Sequence, residues 1–418
     1  MKIRDILLSA LLCIFLCGPG ALWAAQEKLH LDLPSWFTAE DAQYLSGGTS
    51  KANVKQNLTV EGFESEKLQE ALENKIGNHI PLKAAAILEN AELQRSVIAL
   101  SNIAFDWECY PTYFGSEQVY IPAQNALTGI AVKNDPSFDE VLCSFADELI
   151  RLAQSFPDVE FEMYIVGSND GISPCNPTYS LVSNARTFDK VTSRITEHIN
   201  EYSVPNLHCS YTAECDNQSY YDSFYRCDRH WCINGTLEAY HVIVSELNLL
   251  SIDFGSISPI EGQSFCGDVA RPGRVYLAEP VQDINYDFSN LSARNKTGSI
   301  QNLSEHPDYE RASKINRLFN FYGLYYDMNY DATITGGKGD KAALLVSDSF
   351  GRSLTRPIAE SSDTTFRSDA LFGEKRTSKN VYSFISQNNV DTVIFVAKPD
   401  NYASFLERNP DYFKDENE

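Results

Sequence analysis

Residues 341–354 read KAALLVSDSFGRSL. An unbroken apolar run, Ala342 to Val346, stops at Ser347-Asp348-Ser349, and Gly351 follows. A run without polar alternation marks a strand covered on both faces, as in a parallel sheet with helices above and below. DTVIFVAKPD (391–400) has the same character. VEFEMYIVGS (159–168) is a strand ending in Gly-Ser, and SEQVYIPA (116–123) reads as a further strand. Between them lie DEVLCSFADELIRLAQSF (139–156), FDKVTSRITEHINEYS (188–203) and GTLEAYHVIVSELNLL (235–250), with apolar residues at helical spacing. Strands alternating with helices predict an α/β fold with a largely parallel sheet. Residues 284–304, rich in Asn and Ser, read as a loop excursion.

The chain opens MKIRDILLSALLCIFLCGPGALWAAQ: a basic head, an apolar stretch and small residues before Gln26. That plan is a signal peptide over 1–24, cleaved after Ala24; retained, it would serve as a membrane anchor. Residues 25–100 form a separate extension, with helix formers over 64–100 broken near Gly77 and Pro81. The main domain is expected over 101–410. Removing Lys2, Arg4 and Asp5, a net +1, takes the formal charge from −23 to −24. Such a surface repels nucleic acid and anionic lipid. Past the leader stand eight cysteines: Cys109, Cys143, Cys175, Cys209, Cys215, Cys227, Cys232 and Cys266. An even number in an exported chain predicts disulfides, up to four, with connectivity open; Cys227 pairs with Cys232, or both pair with Cys209 and Cys215.

Ser349 stands where a buried strand turns into a helix, the place at which open α/β sheets put their ligands. A hydroxyl there is exposed, and the amides that follow can face a developing oxyanion. A serine capping an ordinary helix fits the same stretch. A serine nucleophile needs a base, and the base needs an acceptor to fix its tautomer. CDRHWCINGTLEAYH (227–241) supplies both types, because residues i and i+2 of an extended segment share a side. Asp228 can orient His230, with Asn234 capping the helix that follows. The spacing of His208, Cys209, Cys215, Cys227, His230 and Cys232 matches no standard zinc pattern, so no metal is expected. Tyr220, Tyr221, Phe224 and Tyr225 suit either sugar stacking or core.

Taken together, these stretches resemble the DHHW family and the AlgJ- and AlgX-like alginate O-acetyltransferases, a permuted branch of the SGNH hydrolase-like superfamily. The resemblance rests on Asp228-Arg229-His230-Trp231 with Gly235 and Ala239-Tyr240, followed by LLVSDSFGRS; MYIVGSNDG (163–171) and DTVIFVAK flank them. It spans about residues 101–405. It implies a flavodoxin-like three-layer fold with a mainly parallel sheet and the motif order Asp, His, Ser. It implies Ser349 as nucleophile, His230 as base and Asp228 as orienting carboxylate. Around them it implies the Phe350 backbone N–H, Asn169 and Asn401 at the oxyanion, and Arg367 and Trp231 toward substrate. It further implies no cofactor, a polysaccharide substrate outside the cytoplasm, and an MBOAT-like membrane partner that delivers acyl groups. Two positions depart from the pattern: Arg229 replaces the second residue of DHHW, and Ser347 stands where Gly is usual. A carbohydrate acetylesterase using the same residues, or a secreted polysaccharide-binding scaffold without activity, fits the same motifs.

Overall fold

A computed structural model of the chain describes residues 40–47, 53–78, 83–105, 107–129, 133, 135–168, 185–216, 219–326, 331–371 and 380–414. The signal peptide expected over 1–24 lies outside them, as do Asn169 and Cys175. No helix among the described residues is long and apolar enough to cross a membrane.

The chain divides into two units, one of the residues up to Gln118 with Ala270–Tyr276, the other of Val119–Val269 with Leu277 onward. The first is largely helical. Its longer helices, Lys67–Asn78 and Lys83–Phe105, correspond to the helix formers expected over 64–100.

The second unit is α/β. Its eight-stranded sheet comprises β1 (Glu160–Ile165), β2 (Leu207–Tyr211), β3 (Ser292–Asn295), β4 (Ile300–Asn302), β5 (Ala332–Thr335), β6 (Ala342–Ser347), β7 (Thr364–Ser368) and β8 (Thr392–Ala397). The strand order is β2-β1-β8-β6-β7-β5-β3-β4. The first five are mutually parallel and the last three antiparallel, so the sheet is mixed. The helices used below are α1 (Pro136–Ser155), α2 (Phe188–Tyr202), α3 (Ile233–Glu246), α4 (Lys314–Phe319), α5 (Phe321–Tyr325), α6 (Gly351–Glu360), α7 (Val381–Asn388) and α8 (Pro399–Arg408).

Strand alternation sorts the core. Phe161, Met163, Leu344, Val346, Val393 and Phe395 face α1, α2, α7 and α8, where Phe145 of α1 meets Phe395, Tyr402, Phe405 and Phe413 at ring distances of 4.8–6.0 Å. Burying each such ring contributes about 1.5–3 kcal/mol. Helices α3 and α6 pack on each other, with α3 against β1 and α6 against β6.

The loop expected over 284–304 is instead the antiparallel edge, β3 and β4. Its polar side chains conceal a hairpin whose inward residues, Leu291, Ala293 and Leu303, are buried. Edge strands tolerate polar faces because backbone pairing, not side-chain burial, holds them.

Candidate active site

The segment carrying Asp228 and His230 is held by backbone on several sides. Tyr225 N–H donates to the His230 carbonyl at 3.2 Å and Cys232 N–H to the Ser223 carbonyl at 2.9 Å. Val269 N–H donates to the Cys227 carbonyl at 3.1 Å, and Ser168 Oγ to the Arg229 carbonyl at 2.9 Å. The approach of the 266–269 segment requires Gly267: its φ is +71°, and a Cβ there would lie 2.1 Å from the Cys227 carbonyl oxygen. Behind the loop, buried Trp231 donates from Nε1 to Ser353 Oγ at 2.8 Å and to Tyr322 Oη at 3.2 Å. Helix α3 begins two residues earlier than expected, with Cys232 at its N-cap; Asn234 lies inside it and donates to the Asp222 carbonyl at 2.9 Å.

The strand-turn-helix at β6 delivers Ser349 to the carboxyl end of the sheet. Ser347 ends the strand, and its Oγ occupies the space beside Gly351, where a Cβ would sit 2.0 Å away. Asp348 turns inward and is fully buried. Its carboxylate accepts from Phe350 N–H at 2.9 Å, Lys398 N–H at 3.1 Å and Asn401 Nδ2 at 2.7 Å. Burial pushes the Asp348 carboxyl up, and these donors oppose the shift. The Asp348 side chain thus ties the turn after β6 to the turn after β8.

The two segments meet at one line of hydrogen bonds. His230 Nε2 lies 2.8 Å from Ser349 Oγ, and His230 Nδ1 lies 2.5 Å from Asp228 Oδ1. With Nδ1–H donating to the carboxylate, Nε2 is left to accept the serine O–H. Asp228 Oδ1 also accepts from His230 N–H at 2.9 Å, and Oδ2 from Asp268 N–H at 2.8 Å. Burial alone would raise the Asp228 carboxyl; the His230 charge and these hydrogen bonds hold it below its ordinary range. For Asp268 burial prevails, with the Asp228 charge adding to it, and its carboxyl is pushed up despite Arg229 Nε at 2.7 Å. The imidazole stacks on Tyr322, with ring centroids 4.1 Å apart and planes 13° from parallel.

A cavity of about 380 Å³ opens over this line, with Ser349, His230, Asp268, Arg352, Lys398 and Asn401 on its walls. Such a volume takes a small-molecule group, and its polar walls favour a polar one.

Several expected site residues stand elsewhere. Phe350 lines the cavity, but its N–H is engaged by Asp348 Oδ1 and does not face an oxyanion at Ser349. Arg367 is buried on β7, donates to Thr355 Oγ1 at 3.2 Å, and is not on the cavity wall. Burial pushes its guanidinium down to about 10. Trp231 supports the loop from behind and likewise does not line the cavity. Tyr220, Tyr221, Phe224 and Tyr225 are core, with Tyr220 and Phe224 stacked at 4.3 Å. Asp268, Tyr322, Arg352 and Lys398 join the site without having been singled out. Arg352 and Lys398 are close enough in sequence to Ser349 and Asn401 to have been found; Asp268 and Tyr322 carry no motif.

The expected disulfides are not formed among the described residues, where Cys109, Cys143, Cys209, Cys227 and Cys232 are thiols. Cys232 Sγ donates to the Asp222 carbonyl at 3.2 Å, and Cys227 is buried with its carbonyl accepting from Val269 N–H.

No family model and no curated protein matches the sequence. Solved structures do match the fold. Bacillus cereus PatB1, solved with a sulfonyl adduct, is 18% identical with a TM-score of 0.51, over 71% of this chain and 96% of that one. A DHHW family protein from Eubacterium siraeum is 11% identical with a TM-score of 0.51, over 70% and 95%. The O-acetyltransferase domain of Pseudomonas putida AlgJ is more distant, with 10% identity and a TM-score of 0.35 over 69% and 90%. At the carboxyl end of its sheet this chain joins Ser349, His230 and Asp228 on a fold it shares with PatB1 and with a DHHW family protein.

Proposed function

We propose that this chain is an exported serine-dependent O-acyltransferase, acetyl being the expected group, acting on a polysaccharide outside the cytoplasm. The observation that carries the reading is the continuous hydrogen-bonded line Ser349–His230–Asp228 opening into a polar cavity. The SGNH-like fold and permuted motif order belong to the same proposal. Added support comes from PatB1, which has been solved with a sulfonyl adduct, since sulfonyl groups react with activated hydroxyl nucleophiles.

In this mechanism Ser349 Oγ attacks the carbonyl carbon of an acyl donor while His230 Nε2 takes the hydroxyl proton. Asp228 stabilises the imidazolium and keeps Nδ1 protonated. The tetrahedral intermediate collapses to acyl-Ser349, and His230 returns the proton to the leaving group. A sugar hydroxyl then attacks the acyl carbon and gives its proton to His230; the sugar leaves as the ester while His230 returns that proton to Ser349 Oγ, restoring both residues. With the Phe350 amide held by Asp348, oxyanion stabilisation falls to cavity-wall donors such as Asn401 Nδ2, which keeps a second N–H, or the Arg352 guanidinium. In this reading the acyl groups are supplied across the membrane by an MBOAT-like partner.

The reading is tested by incubating the full chain with an acetyl ester and an oligosaccharide, and measuring transferred against released acetate. Transfer lost in Ser349→Ala supports it. Release to water alone makes the protein an esterase. Neither activity, with no sulfonyl fluoride labelling of Ser349, removes the enzymatic reading.

A further inference from the structure

The position of Tyr322 has a bearing on the base. Its ring covers one face of the His230 imidazole at 4.1 Å and 13°, while Phe350 meets the same imidazole at 5.1 Å and 48°. Tyr322 is 2% exposed, and its hydroxyl is fixed by donation to the Phe350 carbonyl at 3.0 Å and by contacts with Ser353 Oγ at 3.0 Å and Trp231 Nε1 at 3.2 Å. The ring is therefore locked at its far end by the nucleophile turn itself, and its near face is given to the histidine.

We propose that Tyr322 is a positioning residue for His230: it fixes the plane of the imidazole and stabilises the imidazolium that forms when Ser349 gives up its proton. This rests on the reading of His230 as the base. The hydrogen bond to Asp228 anchors Nδ1, yet the ring can still tilt about that contact. A parallel aromatic face removes the tilt and keeps Nε2 aimed at Ser349 Oγ. The same face carries the negative end of the ring quadrupole, which attracts a cation held above it. The other charged or titratable groups toward His230 are Asp228, and around the cavity Asp268, Arg229, Arg352 and Lys398. Arg229 is paired with Asp268 at 2.7 Å.

Substitution of the ring and of the hydroxyl separates positioning from simple support. Tyr322→Phe keeps the face. The groups it releases retain a partner, because Trp231 Nε1 stays 2.8 Å from Ser353 Oγ and the Phe350 carbonyl lies 3.4 Å from that oxygen. Tyr322→Leu removes the face. In the full chain, NMR titration of the His230 ring is expected to give the same pKa in wild type and Tyr322→Phe, and a pKa lower by about half a unit in Tyr322→Leu. Turnover is expected to fall about tenfold or more in kcat with KM little changed in Tyr322→Leu, and to stay within about threefold in Tyr322→Phe. If Tyr322→Leu does not fold, Tyr322→Met, whose unbranched flexible side chain adapts to the gap without a π face, serves in its place. An unchanged imidazole titration in the folded Leu or Met variant overturns the proposal, as does a Phe variant as impaired as Leu. The titration needs no substrate. Absence of turnover in the wild type would thus count against the enzymatic reading, while the NMR result still decides the role of the ring.

Discussion

The Phe350 amide donates to the Asp348 carboxylate at 2.9 Å, so the backbone N–H of the residue after Ser349 is engaged by a buried acid. Two elements depend on that acid, because the same carboxylate accepts from the Lys398 amide just after β8 and from the Asn401 side chain in the first turn of α8. Asparagine at 348 can accept on one side only and would turn an NH₂ toward a donor. Asp348→Asn is expected to lower stability by about 2–4 kcal/mol in urea unfolding, with activity falling alongside. A variant as stable as wild type would show that the carboxylate is not holding the two turns together.

Gly351 and Ser347 form a second coupled pair. A Cβ at 351 would lie 2.0 Å from Ser347 Oγ and 2.3 Å from its Cβ. Gly351→Ala is expected to cost about 1–3 kcal/mol. Ser347→Gly removes both obstructing atoms, so the double variant should recover most of that loss beyond the cost of Ser347→Gly alone. A double-mutant cycle reads this directly, and strict additivity would contradict it.

Glu162 gives a pH dependence of stability. It lies fully buried on β1, and burial pushes its carboxyl up to about 8 from 4.5. The folded chain then keeps a proton that the unfolded chain loses. Stability is highest below the unfolded value and is lost as pH rises through the window from about 4.5 to about 8. Glu162→Gln removes that slope. Urea unfolding at pH 5 and pH 9 should show the variant gaining on the wild type at the higher pH, by on the order of several kcal/mol. Parallel pH profiles of the two proteins would contradict the assignment.

Removal of the nucleophile or the base is expected to be severe and non-additive. Ser349→Ala and His230→Ala should each lower turnover by about 10³-fold or more, and the double variant should be hardly worse than either. Steady-state assays on a chromogenic acetyl ester check this, and substantial turnover in either single variant would contradict it.

The strands β6 and β8 were legible because their apolar runs have no alternation, the mark of burial on both faces, and β1 was legible as a strand ending in Gly-Ser. The helices α1, α2 and α3 were legible from their periodicity. The convergence of Asp228 with His230 followed from their spacing. The edge hairpin of β3 and β4 was not, since its stability lies in backbone pairing that Asn- and Ser-rich sequence conceals. The same limit applies to the turn after β6. Proximity to Ser349 made the Phe350 amide a natural oxyanion donor, but the preceding aspartate, itself in the quoted stretch, competes for that N–H. Tyr322 and Asp268 enter through α5 and the segment after Phe265, where nothing in the local sequence announces a contact with His230 or Asp228. Arg367 was expected toward substrate, but it is buried on β7 with its Nε on Thr355 Oγ1 of α6, a placement that residue type alone does not announce.

The most direct measurement is mass spectrometry of the full chain quenched after brief exposure to an activated acetyl ester. An added acetyl group on the peptide containing Ser349, present in wild type and absent in His230→Ala, is the expected result. No acetyl group on that peptide in the wild type, or equal acetylation in His230→Ala, would contradict the assignment of Ser349 as a nucleophile activated by His230.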